Sequence, residues 1–181
     1  PMLLAPLIGK YIFRFDPAVM NFALVNTAEL SAYVTGKGVE NGRQNLDGMS
    51  FQWNPPEGQS VPDFYVRYSG AIYNHWQYDP AAGRYMRYVD AADDPYLGLG
   101  EVYTQHTDRL NGEALGADNV VVILVPHQII VQEVWDIQLL GSGSAYAFRD
   151  GQMYELTWQR VATDAVISLI YADGTPFPLK Q

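Results

Sequence analysis

From about residue 61 the chain is a succession of short apolar runs broken by turn chemistry. "FYVRYS", "IYNHWQYD", "RYMRYVD", "NVVVILV", "IIVQEVWDIQLL", "SAYAF", "MYELTWQR" and "VISLIYA" are rich in β-branched and aromatic residues, and each has the length and composition of a strand. Upstream the texture differs. "FALV" followed by "NTAELSAYVTGKG" predicts a strand running into a helix that Asn26 or Thr27 caps, with Glu29 in the first turn and Gly36 or Gly38 as the stop. The turn-rich connector "NLDGMSFQWNPPEGQSVPD", with Pro55, Pro56 and Pro62, marks the boundary. The expected division is a strand-helix segment over 1–60, the remnant of or boundary to an amino-terminal half, and a β-rich domain over 61–181.

Alternation assigns faces to the strands. In "YNHWQYD", Trp76 and Tyr78 fall on one side and His75, Gln77 and Asp79 on the other, the period of a half-buried strand. "NVVVILV" has no polar face, which predicts a central strand covered on both sides, with the amino-terminal helix across the sheet. The expected fold class is therefore α+β, a mostly antiparallel β-sheet with one or two helices packed on it.

The segment "LLGSGSAYAFRDGQMYELTWQR" opens like a phosphate-binding loop, but its glycines lead into a strand and not into a helix. Asp150-Gly151 is a two-residue hairpin signal, because a type I′ turn needs φ > 0 at both positions. That loop pairs Arg149 with Gln152, Ala147 with Tyr154, Ala145 with Leu156 and Gly143 with Trp158. Small residues then face large ones along one side of the ribbon, and the indole covers the bare glycine.

Composition narrows the function classes. Of 181 residues, 20 are acidic and 11 basic, for a net charge of −9; this lacks the cationic footprint of a phosphate-backbone binder, and nucleic acid is not an expected partner. The absence of cysteine removes disulfides, thiolate metal sites and thiol nucleophiles together. No apolar run approaches the roughly 18 to 20 residues of a membrane span, and "PMLLAPLIG", short, without a basic n-region and followed by Lys10, Arg14 and Asp16, does not read as a signal peptide. No motif calls for a cofactor.

His106-x-Asp108, with Asp90, Asp93 and Asp94 nearby in sequence, could supply oxygen ligands to calcium. Its spacing matches no EF-hand loop, and the favoured alternative is a pair of turn residues. His75, His106 and His127 are the available imidazoles, and neither a Gly-x-Ser-x-Gly elbow nor a His-Glu-x-x-His helix accompanies them. Glu133 shares an alternating face with Trp135, which could desolvate it toward general-acid use, and Asp136 and Glu155 also lie on strands.

Rings and arginines crowd two adjacent strands, among them Trp76, Tyr78, Arg84, Tyr85, Arg87 and Tyr88. Tyr85 and Arg87 share one face of their strand. The expected binding site gathers Tyr85, Arg87, His106, Asp108, Trp158 and Arg160 around one concavity. The competing arrangement closes Arg87 in an internal salt bridge to Asp108 or Asp136.

The order of these motifs resembles a known family. "YDPAAGRYMRY", "HTDRLNGEALGADNVVVILV", "LLGSGSAYAFRDGQMYELTWQR" and "YADGTPFPLK" are similar, over roughly residues 65 to 180, to the carboxy-terminal half of the YerB-like family, bacterial lipoproteins built on a domain of unknown function. The resemblance implies an extracytoplasmic location at the cell envelope and no established activity. It also implies an amino-terminal half that is missing from this sequence. The resulting expectation is an envelope-side binding or scaffold module for cell-wall glycan, peptide or an envelope protein, against the contrasting class of a glycosidase-like envelope hydrolase using acidic residues.

Overall fold

The computed structural model describes residues 9–14, 23–39, 45–69, 72–90, 102–131 and 134–181. They fall into two compact units that divide between Asn45 and Leu46. In the first, a single 3-10 turn (Gly9–Tyr11) leads into β1 (Ile12–Arg14), which pairs antiparallel with β2 (Ala23–Val25). The helix α1 (Thr27–Gly36) follows. Asn26 caps it, its Oδ1 accepting the Glu29 amide at 3.1 Å, and Gly38 at φ +72° carries the chain away from its end.

The second unit begins with β3 (Ser50–Phe51), β4 (Gln59–Ser60), β5 (Asp63–Ser69), β6 (Ile72–Asp79), β7 (Arg84–Asp90), β8 (Tyr103–Gln105) and β9 (Gly116–Ala117). It continues through β10 (Val120–Ile123), β11 (His127–Val131), β12 (Val134–Ile137), β13 (Gly141–Arg149), β14 (Gln152–Arg160), β15 (Ser168–Ile170) and β16 (Pro178–Leu179). One sheet runs β5-β6-β7-β8, with β9 also on β7; the other runs β10-β13-β14-β15, with β4 also on β14. The strands β3 and β16 form a short parallel pair, and β11 with β12 forms an antiparallel hairpin. The connector over 46–60 is thereby tied into the β-rich unit, through β3 and β4.

The Asp150-Gly151 hairpin has the register expected of a two-residue loop. Asp150 (φ +53°) and Gly151 (φ +75°) occupy the turn, and Gly143 pairs with Trp158, Ala145 with Leu156 and Ala147 with Tyr154. On that side of the sheet Ala145, Ala147, Tyr154, Leu156, Trp158, Leu169 and Phe177 form one buried cluster. On the opposite side Val120 and Phe148 join Tyr85 of the other sheet in a second, and Phe148 stacks on Phe64 with ring centroids 3.5 Å apart. Two sheets packed face to face bury their alternate residues against each other without a helix.

This corrects the expected α+β class. The described residues are mostly β, in several small and largely antiparallel sheets, with α1 as the single α-helix, and α1 buries none of its residues. "NVVVILV" is also placed differently: among the described residues β10 pairs only with β13 and lies at the edge of its sheet. Its apolarity has another physical source than a covering helix. Val120 and Val122 pack toward the Tyr85 cluster, while Val121 and Ile123 face a cavity beside the carboxy-terminal segment.

Candidate functional site

The strand β7 places Tyr85 and Arg87 on the same face, opposite Tyr78 and Trp76 of β6. Tyr85 is fully buried, its hydroxyl donating to the Val61 carbonyl at 2.7 Å, and burial raises its phenol well above the usual range. Arg87, one pair further along, is half-buried. Buried Asn74 holds it: Asn74 Oδ1 accepts from Nε at 3.0 Å and from Nη2 at 2.7 Å. The guanidinium lies over Trp76, 5.9 Å from the ring centroid, within the range of a cation–π contact.

The third partner is His106, whose Nδ1 lies 3.2 Å from Arg87 Nη1. Because a guanidinium only donates, Nδ1 accepts here and the imidazole proton resides on Nε2. Backbone bonds bring the ring to this place. The His106 amide donates to the Arg87 carbonyl, the Leu115 amide to the His106 carbonyl, and the Arg87 amide to the Leu115 carbonyl, all at 2.8 to 2.9 Å. The reversal between them depends on Asp108. Its Oδ1 accepts from the Leu110 amide at 2.7 Å and the Asn111 amide at 3.3 Å, and Gly112 takes φ +73°.

The six expected site residues are thus not equivalent. Arg87 and His106 meet. Asp108 is the turn residue that shapes their loop, and Tyr85 belongs to the core beneath them. Trp158 and Arg160 lie on β14, in the other sheet. Trp158 is fully buried with its Nε1 donating to the Leu124 carbonyl, and the Arg160 guanidinium donates to the carbonyls of Ala165 and Thr163. Tyr85 and Trp158, both fully buried, belong to the packing of their sheets and not to an open surface. Nor does an internal salt bridge close Arg87: among the described residues no carboxylate pairs with it.

Asn74 was missed, although its signal is visible. In "IYNHWQYD" it falls on the same face as Trp76 and Tyr78, and a polar residue on an apolar strand face is there to satisfy something. On the other face of this sheet, Tyr65 stacks on His75 with centroids 4.3 Å apart, and Tyr88 and Tyr103 close around the same imidazole at 5.5 Å. The rings noted in the sequence are therefore shared between both faces.

The acidic candidates that are described lie on separate elements. Asp136 and Glu155 are exposed on β12 and β14, while Glu133, Asp93 and Asp94 lie outside the described residues. Asp173 accepts from the amide and hydroxyl of Thr175, which holds its carboxyl below the usual range, the opposite of what a general acid needs. Among the described residues no three His, Asp or Glu side chains come together as metal ligands would.

Comparison with known proteins agrees with this architecture. Residues 64–181 match the model of the carboxy-terminal domain of a family described as protein of unknown function, DUF3048. The crystal structure of the YerB protein from Bacillus subtilis superposes with a TM-score of 0.67 at 22% identity, over 94% of this chain and 53% of that one. The chain accordingly spans about half the length of the structure that it matches. No match was found among curated proteins. Two packed sheets, a hairpin in the expected register and the span of the family match point to one conclusion: the chain belongs to the YerB-like DUF3048 family and carries its carboxy-terminal domain.

Proposed function

We propose that this domain is an extracytoplasmic, cell-envelope-associated binding module, working beside the amino-terminal half of a YerB-like protein, and that Arg87 with His106 receives an anionic group of a cell-wall glycan or peptide. One observation carries this reading: a half-buried arginine in a protein of net charge −9 has no carboxylate partner among the described residues. Burying a cation without its counter-charge is costly, and chains ordinarily pair it. Here two neutral side chains orient it instead. Asn74 takes Nε and one Nη2 proton, and His106 takes one Nη1 proton. Of the five donors of a guanidinium, one on each terminal nitrogen is left by these two partners, charged donors that a carboxylate can accept. The envelope location rests on likeness to a lipoprotein family.

Calorimetric titration with soluble, carboxylate-bearing peptidoglycan fragments tests the reading. Arg87→Ala is expected to weaken binding by about 10- to 100-fold, corresponding to about 1.5–3 kcal/mol for charged hydrogen bonds, with the fold retained and the melting temperature lowered only as far as the buried Asn74 acceptor loses its donor. Arg87→Lys, which keeps the charge but loses the planar guanidinium, is expected to fall between. Equal affinity of parent and Arg87→Ala, or no binding by the parent, rules the site out.

A further inference from the structure

Independently of Arg87 and His106, β10 has the form of an unfinished sheet. It pairs with β13 along one side, and among the described residues no strand pairs with its other side. The Leu124 amide donates to the Ser144 carbonyl of β13. Because main-chain groups alternate in direction along a strand, Val122 and Val120 also point to β13, and the N–H and C=O groups of Val121 and Ile123 point to the open side. Nothing along Val120–Ile123 discourages pairing: there is no charge and no proline, and the register with β13 is unbroken. Chains usually blunt such an edge.

A cavity of about 260 Å³ adjoins the same two residues. Val121 and Ile123 line one side of it, with Met49, Ile167, Leu169 and Phe177 among the rest. Ser50 is its one polar lining residue, and none is ionisable. In an antiparallel pair, side chains directly opposite each other lie on the same face. A residue of an added strand standing opposite Val121 or Ile123 would therefore direct its side chain toward this cavity. Val121 is 39% exposed, so the approach is open.

We propose that the outer edge of β10 accepts an extended segment of another protein as an added strand, one of whose side chains, apolar, fills the cavity. The free main-chain donors and acceptors select a polypeptide, since they recur at the spacing of a strand, and the uncharged lining selects the side chain. Charge decides between sources. A second copy of a chain carrying net charge −9 would meet like charge, whereas a neutral or basic segment would not. The open edge also spans only about 13 Å, short for the roughly 1,000 Å² of a stable dimer interface.

The probe is an acetylated and amidated heptapeptide of alternating lysine and valine, added to isotope-labelled protein and followed by NMR. Saturable shifts of the Val121 and Ile123 amides are expected, with their hydrogen exchange slowed at least about tenfold at saturation. A lysine-threonine heptapeptide is expected to bind at least about tenfold more weakly, because its hydroxyls would enter an apolar cavity. Val121→Pro removes one outward N–H while leaving the ladder to β13 intact, and should abolish binding. The same peptide with alternate amides N-methylated makes the equivalent test on the unaltered protein, and should not bind. The proposal is overturned if these two amides do not respond at millimolar peptide, or if the lysine-threonine or N-methylated peptide binds equally well. A dimer in light scattering that Val121→Pro dissociates would also overturn it, by assigning the edge to a second copy.

Discussion

Arg149→Ala is expected to lose about 3–5 kcal/mol of stability, the range for breaking a buried ion pair by removing one partner. Arg149 is fully buried at the end of β13. Its Nε donates to Asp150 Oδ2 at 2.8 Å, Nη1 to the carbonyls of Gln52 and Pro178 at 3.1 and 2.9 Å, and Nη2 to the Trp53 carbonyl at 2.7 Å. One guanidinium thus joins three distant stretches of chain: the connector after β3, the hairpin turn and the carboxy-terminal β16. Removing it leaves three carbonyls short of a donor, each with a desolvation cost of about 1–3 kcal/mol if no water reaches it. Asp150 keeps Lys180, whose Nζ lies 3.0 Å from Oδ1, so the carboxylate is not orphaned.

Asp150→Asn separates the charge from the turn. Asparagine preserves the left-handed position before glycine that the hairpin requires, so a loss confined to the missing charge should be smaller, about 1.5–3 kcal/mol. Urea unfolding at 25 °C measures both. If Arg149→Ala stays within about 1 kcal/mol of the parent, the buried guanidinium is not the fastening described here.

How much of this was legible in the sequence depended on the range of the interaction. The hairpin was legible because its information is local: Asp150-Gly151 sets the loop, and the alternation of small and large residues repeats the register at every pair. The cap of α1 was legible for the same reason. The place of β10 was not, because an all-apolar strand reads alike at the centre of a sheet and at an edge with one face on the second sheet and the other on an apolar cavity. Its neighbours come from far away in the chain, as do the pairings of β4 with β14 and of β16 with β3, and no local signal encodes them. Arg149 looked like one more strand residue for that reason. At the candidate site, "HTD" marks a loop that does meet β7, but only their chemistry, and no local pattern, links Trp158 and Arg160 to it. Their own sheet uses them for packing and for closing the turn over 160–165.

Trp158→Ala is expected to cost about 3–5 kcal/mol, the range for deleting a buried aromatic ring. The indole is fully buried in the cluster with Ala145, Leu156, Leu169 and Phe177, and its one polar atom is satisfied by the Leu124 carbonyl at 2.9 Å. The glycine opposite it makes the assignment specific. A Cβ built on Gly143 would stand 2.7 Å from Trp158 Nε1 and 2.8 Å from the Leu124 carbonyl oxygen, closer than such atoms approach. Gly143→Ala should therefore lose about 1–3 kcal/mol by overpacking. In the double variant the added methyl occupies space that the lost ring has vacated. It still meets the Leu124 carbonyl, which has lost its indole donor but is no longer held in place by it. The combined loss is expected to be smaller than the sum of the two by about 0.5–3 kcal/mol, the coupling of residues in direct contact. Strict additivity in thermal or urea unfolding would mean that ring and glycine do not meet, and the register of β13 on β14 would have to be redrawn.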